Sequence, residues 1–239
     1  SGTGSLLGRL QPGSCRGDRL SEEASRREKW KLGGVYLVTS PKRPISELIS
    51  IVEGSLEGGA SLVQFRDKGE YSDAERQDAC RVLKDRCRRH GVPLLVNDDP
   101  QLAKRLAADG VHVGRDDPSP RIARLLLGPG ALVGVTVYGK PGEEKAAEAA
   151  GADYLGIGPF FPSPTKPDEP EFPLHVLDAV VHRTRLPVFA IGGITAERAR
   201  QLARHDIAGI AVISAIMDAP DPRRATEELC TAFEGSRSS

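Results

Sequence analysis

The sequence predicts an α/β protein: a single (β/α)8 TIM barrel with a flexible N-terminal extension. Short runs of branched and small apolar residues recur eight times, and amphipathic segments separate them. Such nearly continuous apolar runs are typical of strands that are buried on both faces of a parallel sheet. Eight βα units within about two hundred residues favour a closed barrel. An open doubly wound sheet is the alternative, but no shift in composition marks a second domain.

The predicted strands begin shortly after the first thirty residues and recur to the end of the chain. They are VYLVTS (35–40), SLVQFR (61–66), PLLVND (93–98), GVHVGR (110–115), LVGVTV (132–137), YLGIGP (154–159), PVFAIG (187–192) and GIAVIS (209–214). Active sites of this fold lie at the carboxyl ends of the strands. The residues that follow each run are therefore the candidates for function.

Helices are predicted between the strands. Apolar residues over 45–56 recur at helical spacing and are followed by two glycines. Ser72 and Glu75 have the spacing of a capping box. Asp99 and Asp117 each precede a proline, which predicts a capping aspartate before a proline in the first helical turn. Four further helices are predicted at 146–150, 174–181, 196–203 and 222–233, with Thr195 capping the third of these.

Composition divides the chain into a flexible extension at 1–30, rich in Gly, Ser and charge, and a barrel at 31–236. The 239 residues have a formal net charge of zero, which predicts no nucleic-acid or membrane partner. No apolar run is long enough to cross a bilayer, and no signal-peptide core is present. The four cysteines show no metal-type spacing, and Cys80 and Cys87 are predicted to be buried thiols. A reducing cytoplasm is the expected location.

The second predicted strand ends in QFRDK. Alternation along an extended chain places Gln64, Arg66 and Lys68 on one side. Two cations and an amide that point together form an oxyanion site, in which Arg can bind phosphate through two hydrogen bonds. A solvated turn with an Arg–Asp ion pair is the alternative.

The third and fourth strands end in NDDP and RDDP. One aspartate at each position is explained as a helix cap, and the second is not. Two acidic sites at adjacent strand ends could share a Mg²⁺ ion, which takes one or two carboxylates together with phosphate oxygens and water. A cation site beside Arg66 and Lys68 indicates that the ligand is a diphosphate.

Hydroxyl groups and glycines follow the later strands. The fifth strand offers Thr136, and the sixth leads into the loop GPFFPSPTK, which offers Ser163, Thr165 and Lys166. The ends of the seventh and eighth strands, AIGGIT and AVISAI, occupy the usual phosphate position of a barrel. The sequence thus predicts two anion sites with Lys166 between them. His112 lies within an apolar strand and is interpreted as a core residue.

The motifs VQFRDKG, VNDD, DGVHVGRDD, GADYLGIGPFFPSPTK, AIGGIT and AVISAI together resemble those of the thiamine phosphate synthase family. They occur in family order from residue 35 to residue 233. The resemblance implies a transferase that joins hydroxymethylpyrimidine diphosphate to hydroxyethylthiazole phosphate and releases pyrophosphate. It also implies a Mg²⁺-assisted, dissociative substitution, in which the thiazole nitrogen captures a pyrimidine carbocation.

The resemblance further implies roles for individual residues. Arg66, Lys68 and Lys166 would be catalytic, and Asp98 and Asp117 would bind Mg²⁺. The pyrimidine diphosphate would be bound by Gln64, Arg66, Lys68, Asn97, Thr136 and Lys166. The thiazole phosphate would be bound by Ser163, Thr165, Gly193, Ile213 and Ser214.

Three departures from the family pattern are present. Arg115 replaces a common glutamine, Tyr138 follows the fifth strand in place of a common histidine run, and no glycine follows Lys166 before the next helix. Two alternatives remain: a related thiazole tautomerase, and a non-catalytic barrel that binds a phosphorylated ligand. Retention of Asp98 and Asp117 favours the synthase. Small phosphorylated substrates are the expected partners, and assembly into a homo-oligomer is left open.

Overall fold

The computed structural model describes residues 30–40, 43–163 and 170–236, and the predicted extension lies outside these residues apart from Trp30. Eight parallel strands close into a barrel in chain order, and β8 pairs with β1. The predicted fold and all eight predicted strands are confirmed. The strands are β1 (Gly34–Val38), β2 (Leu62–Phe65), β3 (Leu94–Asn97), β4 (Gly110–Val113), β5 (Leu132–Val137), β6 (Tyr154–Ile157), β7 (Val188–Ile191) and β8 (Gly209–Val212).

Helices connect the strands, and nine of them lie in the described part of the chain. The short α8, directly after β8, is not predicted by the sequence. The helices are α1 (Ile45–Glu57), α2 (Asp73–Arg89), α3 (Pro100–Arg105), α4 (Pro120–Leu127), α5 (Glu143–Ala149), α6 (Leu174–Arg183), α7 (Ala196–Leu202), α8 (Ser214–Met217) and α9 (Pro222–Gly235).

The helix caps confirm three predictions and correct one. Ser72 forms a capping box with Glu75 at the start of α2, Thr195 caps α7, and Asp99 caps α3. The predicted cap at Asp117 is wrong. The helix α4 begins two residues later, at Pro120, and is capped by Ser119, whose hydroxyl accepts a hydrogen bond from the helix backbone.

Two hydrophobic layers surround the strands. The larger one lies between the barrel and its helices, and a smaller cluster fills the barrel interior. Three aromatic rings in the interior, Tyr36, Tyr154 and Phe189, meet edge to face with centroids 5.4–5.9 Å apart. Such pairs contribute about 0.5–1.5 kcal/mol each beyond the burial of their area. The amino-terminal half of the barrel is therefore a packed core, and ligands have access only from the carboxyl ends.

Gly134 on β5 makes room for two of the interior side chains. A Cβ atom at this position would collide with the Tyr154 ring and lie 2.5 Å from Nδ1 of His112. Real Cβ atoms do not approach other heavy atoms so closely. Glycine is therefore required here so that a histidine and a tyrosine from neighbouring strands can meet inside the barrel.

Two cysteines and Trp30 pack against the hydrophobic layers of the barrel. Cys80 and Cys87 lie on the buried face of α2, as predicted, and burial raises the pKa of the Cys80 thiol to about 12. Trp30 packs against the interior cluster of the barrel. None of the helices in the described ranges is both long enough and apolar enough to span a bilayer.

Candidate active site

A cavity of about 430 Å³ opens at the carboxyl ends of the strands. Both predicted anion sites contribute to its wall, so they belong to one space. The predicted site residues that line it are Gln64, Arg66, Lys68, Asn97, Asp98, Asp117, Thr136, Ser163 and Ile213. Gly193 and Ser214 directly follow the lining residues Gly192 and Ile213. Thr165 and Lys166 lie outside the described residues.

The end of β2 presents its polar side chains as the alternation predicts. Gln64, Arg66 and Lys68 all line the cavity, whereas Asp67 points away from it. The Asp67 side chain is only 4% exposed and pairs with Arg76 at 2.8 Å. Because Asp67 is bound on the opposite side, the two cations of this strand end face the same space.

Two carboxylates meet at the rim of the cavity. Asp98 pairs with Lys68 at 2.5 Å between Oδ2 and Nζ, and Asp117 Oδ2 accepts a hydrogen bond from the Gly114 amide at 2.7 Å. Burial is the main cause of a raised pKa of Asp117, and the nearby Asp98 carboxyl raises it further. Loops after two different strands therefore bring Asp98 close enough to Asp117 to disfavour the charge of Asp117.

Asp98 is held in an uncommon backbone conformation. Its φ of 64° lies in the left-handed region, which costs a residue with a Cβ atom about 1–2 kcal/mol. Hydrogen bonds fix the turn, since the Asp98 amide donates to the His112 carbonyl at 2.8 Å and the Asp99 amide donates to the Asn97 carbonyl at 2.8 Å. Strain of this kind is found at functional sites, and here it presents a carboxylate to the cavity.

The residues at this rim fit a Mg²⁺ ion. Two carboxylates of different loops supply the hard oxygen ligands that Mg²⁺ prefers, and the open cavity leaves room for phosphate oxygens and water. A cation between Asp98 and Asp117 would also relieve the repulsion that raises the pKa of Asp117. Beside them, the buried Nδ2 of Asn97 has no hydrogen-bond partner within the described chain, so a donor is available to a ligand.

A chain of hydrogen bonds crosses the floor of the cavity. Gln64 Nε2 donates to Tyr36 Oη at 2.5 Å, and Tyr36 Oη lies 2.9 Å from Tyr154 Oη. Tyr154 Oη lies 2.9 Å from Nδ1 of His112. The other ring nitrogen of His112, Nε2, lies 2.8 Å from Thr136 Oγ1. Five polar side chains from five strands are thus joined in one row beneath the charged rim.

Burial keeps this row uncharged at neutral pH. It lowers the pKa of His112 to about 4, although the Asp98 carboxylate acts in the opposite direction. It raises the pKa of Tyr36 to about 12 and that of Tyr154 well above its usual value. As expected for a core histidine, both ring nitrogens of His112 have partners. The side chain also lines the cavity, which its apolar sequence context does not indicate.

The far side of the cavity is formed by the loops after β6, β7 and β8. Ser163, Gly192 and Ile213 line it. A Cβ atom at Gly193 would lie 2.8 Å from the Phe161 carbonyl oxygen, so the backbone of the β6 loop covers this glycine. The sequence predicts close approach of a ligand here, and the structure shows close approach of the neighbouring loop.

Comparison with known proteins identifies the family. The sequence model of the family described as thiamine monophosphate synthase matches residues 35–216. The chain belongs to this family. The match spans all eight strands and every cavity residue described above.

Individual members of the thiamine monophosphate synthase family resemble the chain over nearly their whole length. The thiamine-phosphate synthase of Thiobacillus denitrificans is 46% identical over 201 residues, which cover 84% of this chain and 95% of that protein. The thiamine-phosphate synthase of Halorhodospira halophila is 40% identical, with coverage of 87% and 97%. The structure of thiamine phosphate pyrophosphorylase from Pyrococcus furiosus superposes with a TM-score of 0.76 at 34% identity, covering 87% of this chain and 98% of that chain.

Two departures of this chain from the synthase family pattern contact each other. The Arg115 guanidinium carbon lies 3.8 Å from the centre of the Tyr138 ring, and both side chains line the cavity. A cation over an aromatic face contributes about 0.5–1 kcal/mol at an exposed position. The two substitutions therefore form one wall of the cavity together.

Two tyrosines of the neutral row were not predicted from the sequence of this family member. Tyr36, which lines the cavity, and Tyr154, which is fully buried beneath it, lie in apolar strands, and nothing in those runs separates the barrel interior from the helix-covered face. The one available signal is the period of two within each strand. His112 and Tyr154 both pair in register with Gly134, and Thr136 lies two residues further along β5 on the same face, so this period could have indicated an interior polar row.

Proposed function

We propose that this chain is a thiamine-phosphate synthase that joins hydroxymethylpyrimidine diphosphate to hydroxyethylthiazole phosphate and releases pyrophosphate. The observation that carries this proposal is the convergence of Arg66, Lys68, Asp98, Asp117 and Ser163 on a single cavity. A cavity of about 430 Å³ lies within the usual size range of small-molecule sites. Both substrates are phosphorylated, which accounts for groups that can bind an anion on two sides of it.

The pyrimidine diphosphate is assigned to the side formed by β2, β3 and β5. Arg66 and Lys68 bind its diphosphate, Arg66 by paired hydrogen bonds and Lys68 as a point charge. Gln64 and Thr136 lie at the ends of the neutral row on the floor, which suits an uncharged ring. The unpartnered amide of Asn97 donates between the ring and the diphosphate, and Lys166 completes this site.

Magnesium is assigned to Asp98 and Asp117. The convergence of their carboxylates beside Lys68 supports this assignment. Bound Mg²⁺ would neutralise the negative charge that develops on the departing diphosphate. Lys68 serves both groups, since its ammonium neutralises Asp98 when the site is empty and can turn to the diphosphate when the site is filled.

The thiazole phosphate is assigned to the side formed by the loops after β6, β7 and β8. Hydroxyls and backbone amides orient a phosphate without carrying charge, so they leave the stronger cations to the leaving group. The residues assigned to this phosphate are Ser163, Thr165, Gly193, Ile213 and Ser214.

The chemistry is a substitution at the pyrimidine methylene carbon. The bond to the diphosphate oxygen breaks and leaves a carbocation, and the thiazole nitrogen then forms the new bond. This nitrogen carries no proton, so no general base is required. Arg66, Lys68 and Lys166 act where charge develops, on the departing oxygens.

The test is incubation of the full chain with both substrates and Mg²⁺, followed by quantification of thiamine phosphate and pyrophosphate. We expect the two products in equal amounts, and loss of both when a chelator removes the metal. The variant Asp99→Asn is the matched control, because Asp99 is the neighbour of Asp98, caps α3 without lining the cavity, and asparagine preserves the cap. Isomerisation of a thiazole without pyrophosphate would indicate the tautomerase, and substrate binding without turnover would indicate a binding barrel; either result overturns the proposal.

A further inference from the structure

The row of hydrogen bonds on the cavity floor has a direction. We propose that Gln64, Tyr36, Tyr154, His112 and Thr136 form a one-way hydrogen-bond relay that holds His112 with its proton on Nε2 and makes the Thr136 hydroxyl a donor into the cavity. His112 and Tyr154 are then positioning residues, which act on the ligand through Thr136. The direction concerns the protein alone, whereas its use in recognising the pyrimidine rests on the proposed function.

The direction follows from counting protons, starting at Gln64. An amide nitrogen can only donate, so Tyr36 Oη accepts the bond from Gln64 Nε2. The Tyr36 proton then needs an acceptor, which Tyr154 Oη provides at 2.9 Å. Tyr154 in turn directs its own proton to Nδ1 of His112, also at 2.9 Å. Because Nδ1 accepts, the ring carries its proton on Nε2.

The opposite direction leaves a buried donor without a partner. If His112 donated from Nδ1 to Tyr154, then Tyr154 would donate to Tyr36. The Tyr36 oxygen would accept from both neighbours, and its own proton would have no acceptor among the residues that the structure describes. Tyr36 is only 2% exposed, and an unmade hydrogen bond at a buried group is costly. A doubly protonated His112 has the same defect, so both arrangements are excluded on the same ground.

The relay ends at the wall of the cavity. His112 donates from Nε2 to Thr136 Oγ1 at 2.8 Å, and the threonine hydroxyl retains one proton that the relay does not use. Thr136 lines the cavity, so this proton is directed to the ligand. The ligand atom that meets it has to be an acceptor.

A ring nitrogen of an aminopyrimidine satisfies this requirement. The corresponding oxo-pyrimidine carries N–H next to its carbonyl group, and would place a donor against a donor. A phosphate oxygen is also an acceptor, but the cations Arg66 and Lys68 lie at the rim and Thr136 lies at the neutral floor. The relay therefore selects an aminopyrimidine ring over its oxo counterpart.

Nitrogen-15 NMR of the ligand-free full chain measures the direction without any assay of activity. Two-bond correlations between ring protons and ring nitrogens distinguish the two neutral tautomers of histidine. The chain has five histidines, and the variant His112→Gln assigns the signals of His112. We expect the proton on Nε2 at neutral pH. A proton on Nδ1 in the unmodified protein overturns the proposal.

Two tyrosine variants test the order of the relay. In Tyr36→Phe, Tyr154 can still donate to Nδ1, and His112 should keep its proton on Nε2. In Tyr154→Phe, Nδ1 loses its donor, and the Nδ1 resonance of His112 should move towards that of an imidazole nitrogen without a hydrogen bond. Tyr71→Phe is the matched control, because the Tyr71 hydroxyl donates to the Arg43 carbonyl at 2.8 Å and lies outside the relay. Identical His112 spectra in Tyr36→Phe and Tyr154→Phe would contradict the order.

Kinetics of the same variants test the consequence for the ligand. We expect Tyr154→Phe to raise the KM for the pyrimidine diphosphate roughly two- to tenfold, the effect of one lost hydrogen bond. The KM for the thiazole phosphate and inhibition by pyrophosphate should stay unchanged, as should all three values in Tyr71→Phe. Weaker inhibition by pyrophosphate would assign Thr136 to the diphosphate and overturn recognition of the ring. Absence of turnover in the unmodified chain would overturn the proposed function and leave the tautomer result intact.

Discussion

The loops after β3 and β4 share the sequence Asp-Asp-Pro and use it differently. After β3, Asp98 lines the cavity and Asp99 caps α3. After β4 both aspartates line the cavity, but Asp117 is half-buried and accepts the Gly114 amide, whereas Asp116 is exposed. The cap of α4 is Ser119.

The difference shows that loop length assigns the roles of these acids. A cap is the residue directly before the first helical turn, and both helices begin with proline. After β3 this residue is the second aspartate. After β4 the helix begins two residues later, so neither aspartate is required as a cap and the second can turn towards the cavity. The same three-residue motif therefore places a carboxylate at the cavity rim in both loops. Its first residue does so after β3, and its second residue does so after β4.

The largest expected effect separates the cavity acids from their neighbours. Asp98→Ala and Asp117→Ala should each lower turnover on the order of a hundredfold, because each would remove a proposed Mg²⁺ ligand and thereby weaken stabilisation of charge in the transition state. Excess Mg²⁺ should restore part of the activity. Asp99→Asn, assayed in parallel, should stay within about twofold of the parent, because Asp99 caps α3 without lining the cavity and asparagine preserves the cap. If all three variants lost activity equally, the division between cavity acids and capping acid would be wrong.

The caps are expected to affect stability and not turnover. Asp99→Ala and Ser119→Ala should each lower the free energy of unfolding by about 0.5–2 kcal/mol, the effect of a lost N-cap. Asp116→Ala should change it by less than about 0.5 kcal/mol. Urea denaturation of the three variants measures these values. A loss in Asp116→Ala as large as that in Ser119→Ala would show that α4 is capped differently.

Backbone strain distinguishes Asp98 from Asp117. Asp98 has a φ of 64°, and Asp117 does not share this conformation. Glycine should therefore be better tolerated than alanine at position 98 but not at position 117. We expect Asp98→Gly to be about 0.5–1 kcal/mol more stable than Asp98→Ala, with both inactive. At position 117 we expect the alanine variant to be more stable than the glycine variant. Equal stability of the two variants at 98 would indicate that the turn relaxes.

The smallest expected effect concerns the charge of Asp117. Its pKa is raised in the folded state, chiefly by burial, so the folded protein binds this proton more tightly than the unfolded chain. The ionised carboxylate therefore costs stability as pH rises above the unfolded value of about 3.9. Asp117→Asn should be slightly more stable than the parent at neutral pH, yet inactive. This advantage should vanish near pH 3 in thermal unfolding, and an advantage that persists there would exclude charge as its cause.

The charged rim could be predicted from the sequence because each strand ends in a recognisable change of composition. The alternation in QFRDK also places Gln64, Arg66 and Lys68 correctly. The cap of α4 could not be predicted, because Asp117 and Ser119 each precede a proline and either fits the rules of helix capping. The structure decides between them, because the Ser119 hydroxyl accepts a hydrogen bond from the α4 backbone, whereas Asp117 accepts one from the Gly114 amide.

The neutral floor was not predicted for a different reason. Strands that are buried on both faces are apolar on both, so Tyr36 and Tyr154 carry no local mark of the side they occupy. Their hydrogen bonds depend on the register of five strands around the closed barrel. Contacts of this kind are a property of the closed barrel and of no single segment.

Gly134 limits the routes by which this barrel can evolve. Substitution by alanine collides with Tyr154 and His112, and truncation of Tyr154 alone leaves a void that costs about 3–5 kcal/mol, by analogy with other large aromatic side chains. Each single change is therefore harmful, whereas an added methyl group beside a smaller ring could be tolerated, because contacting positions do not behave additively. Positions 134 and 154 are expected to change together across descendants of this chain, and a library that varies only one of them would miss the viable combinations.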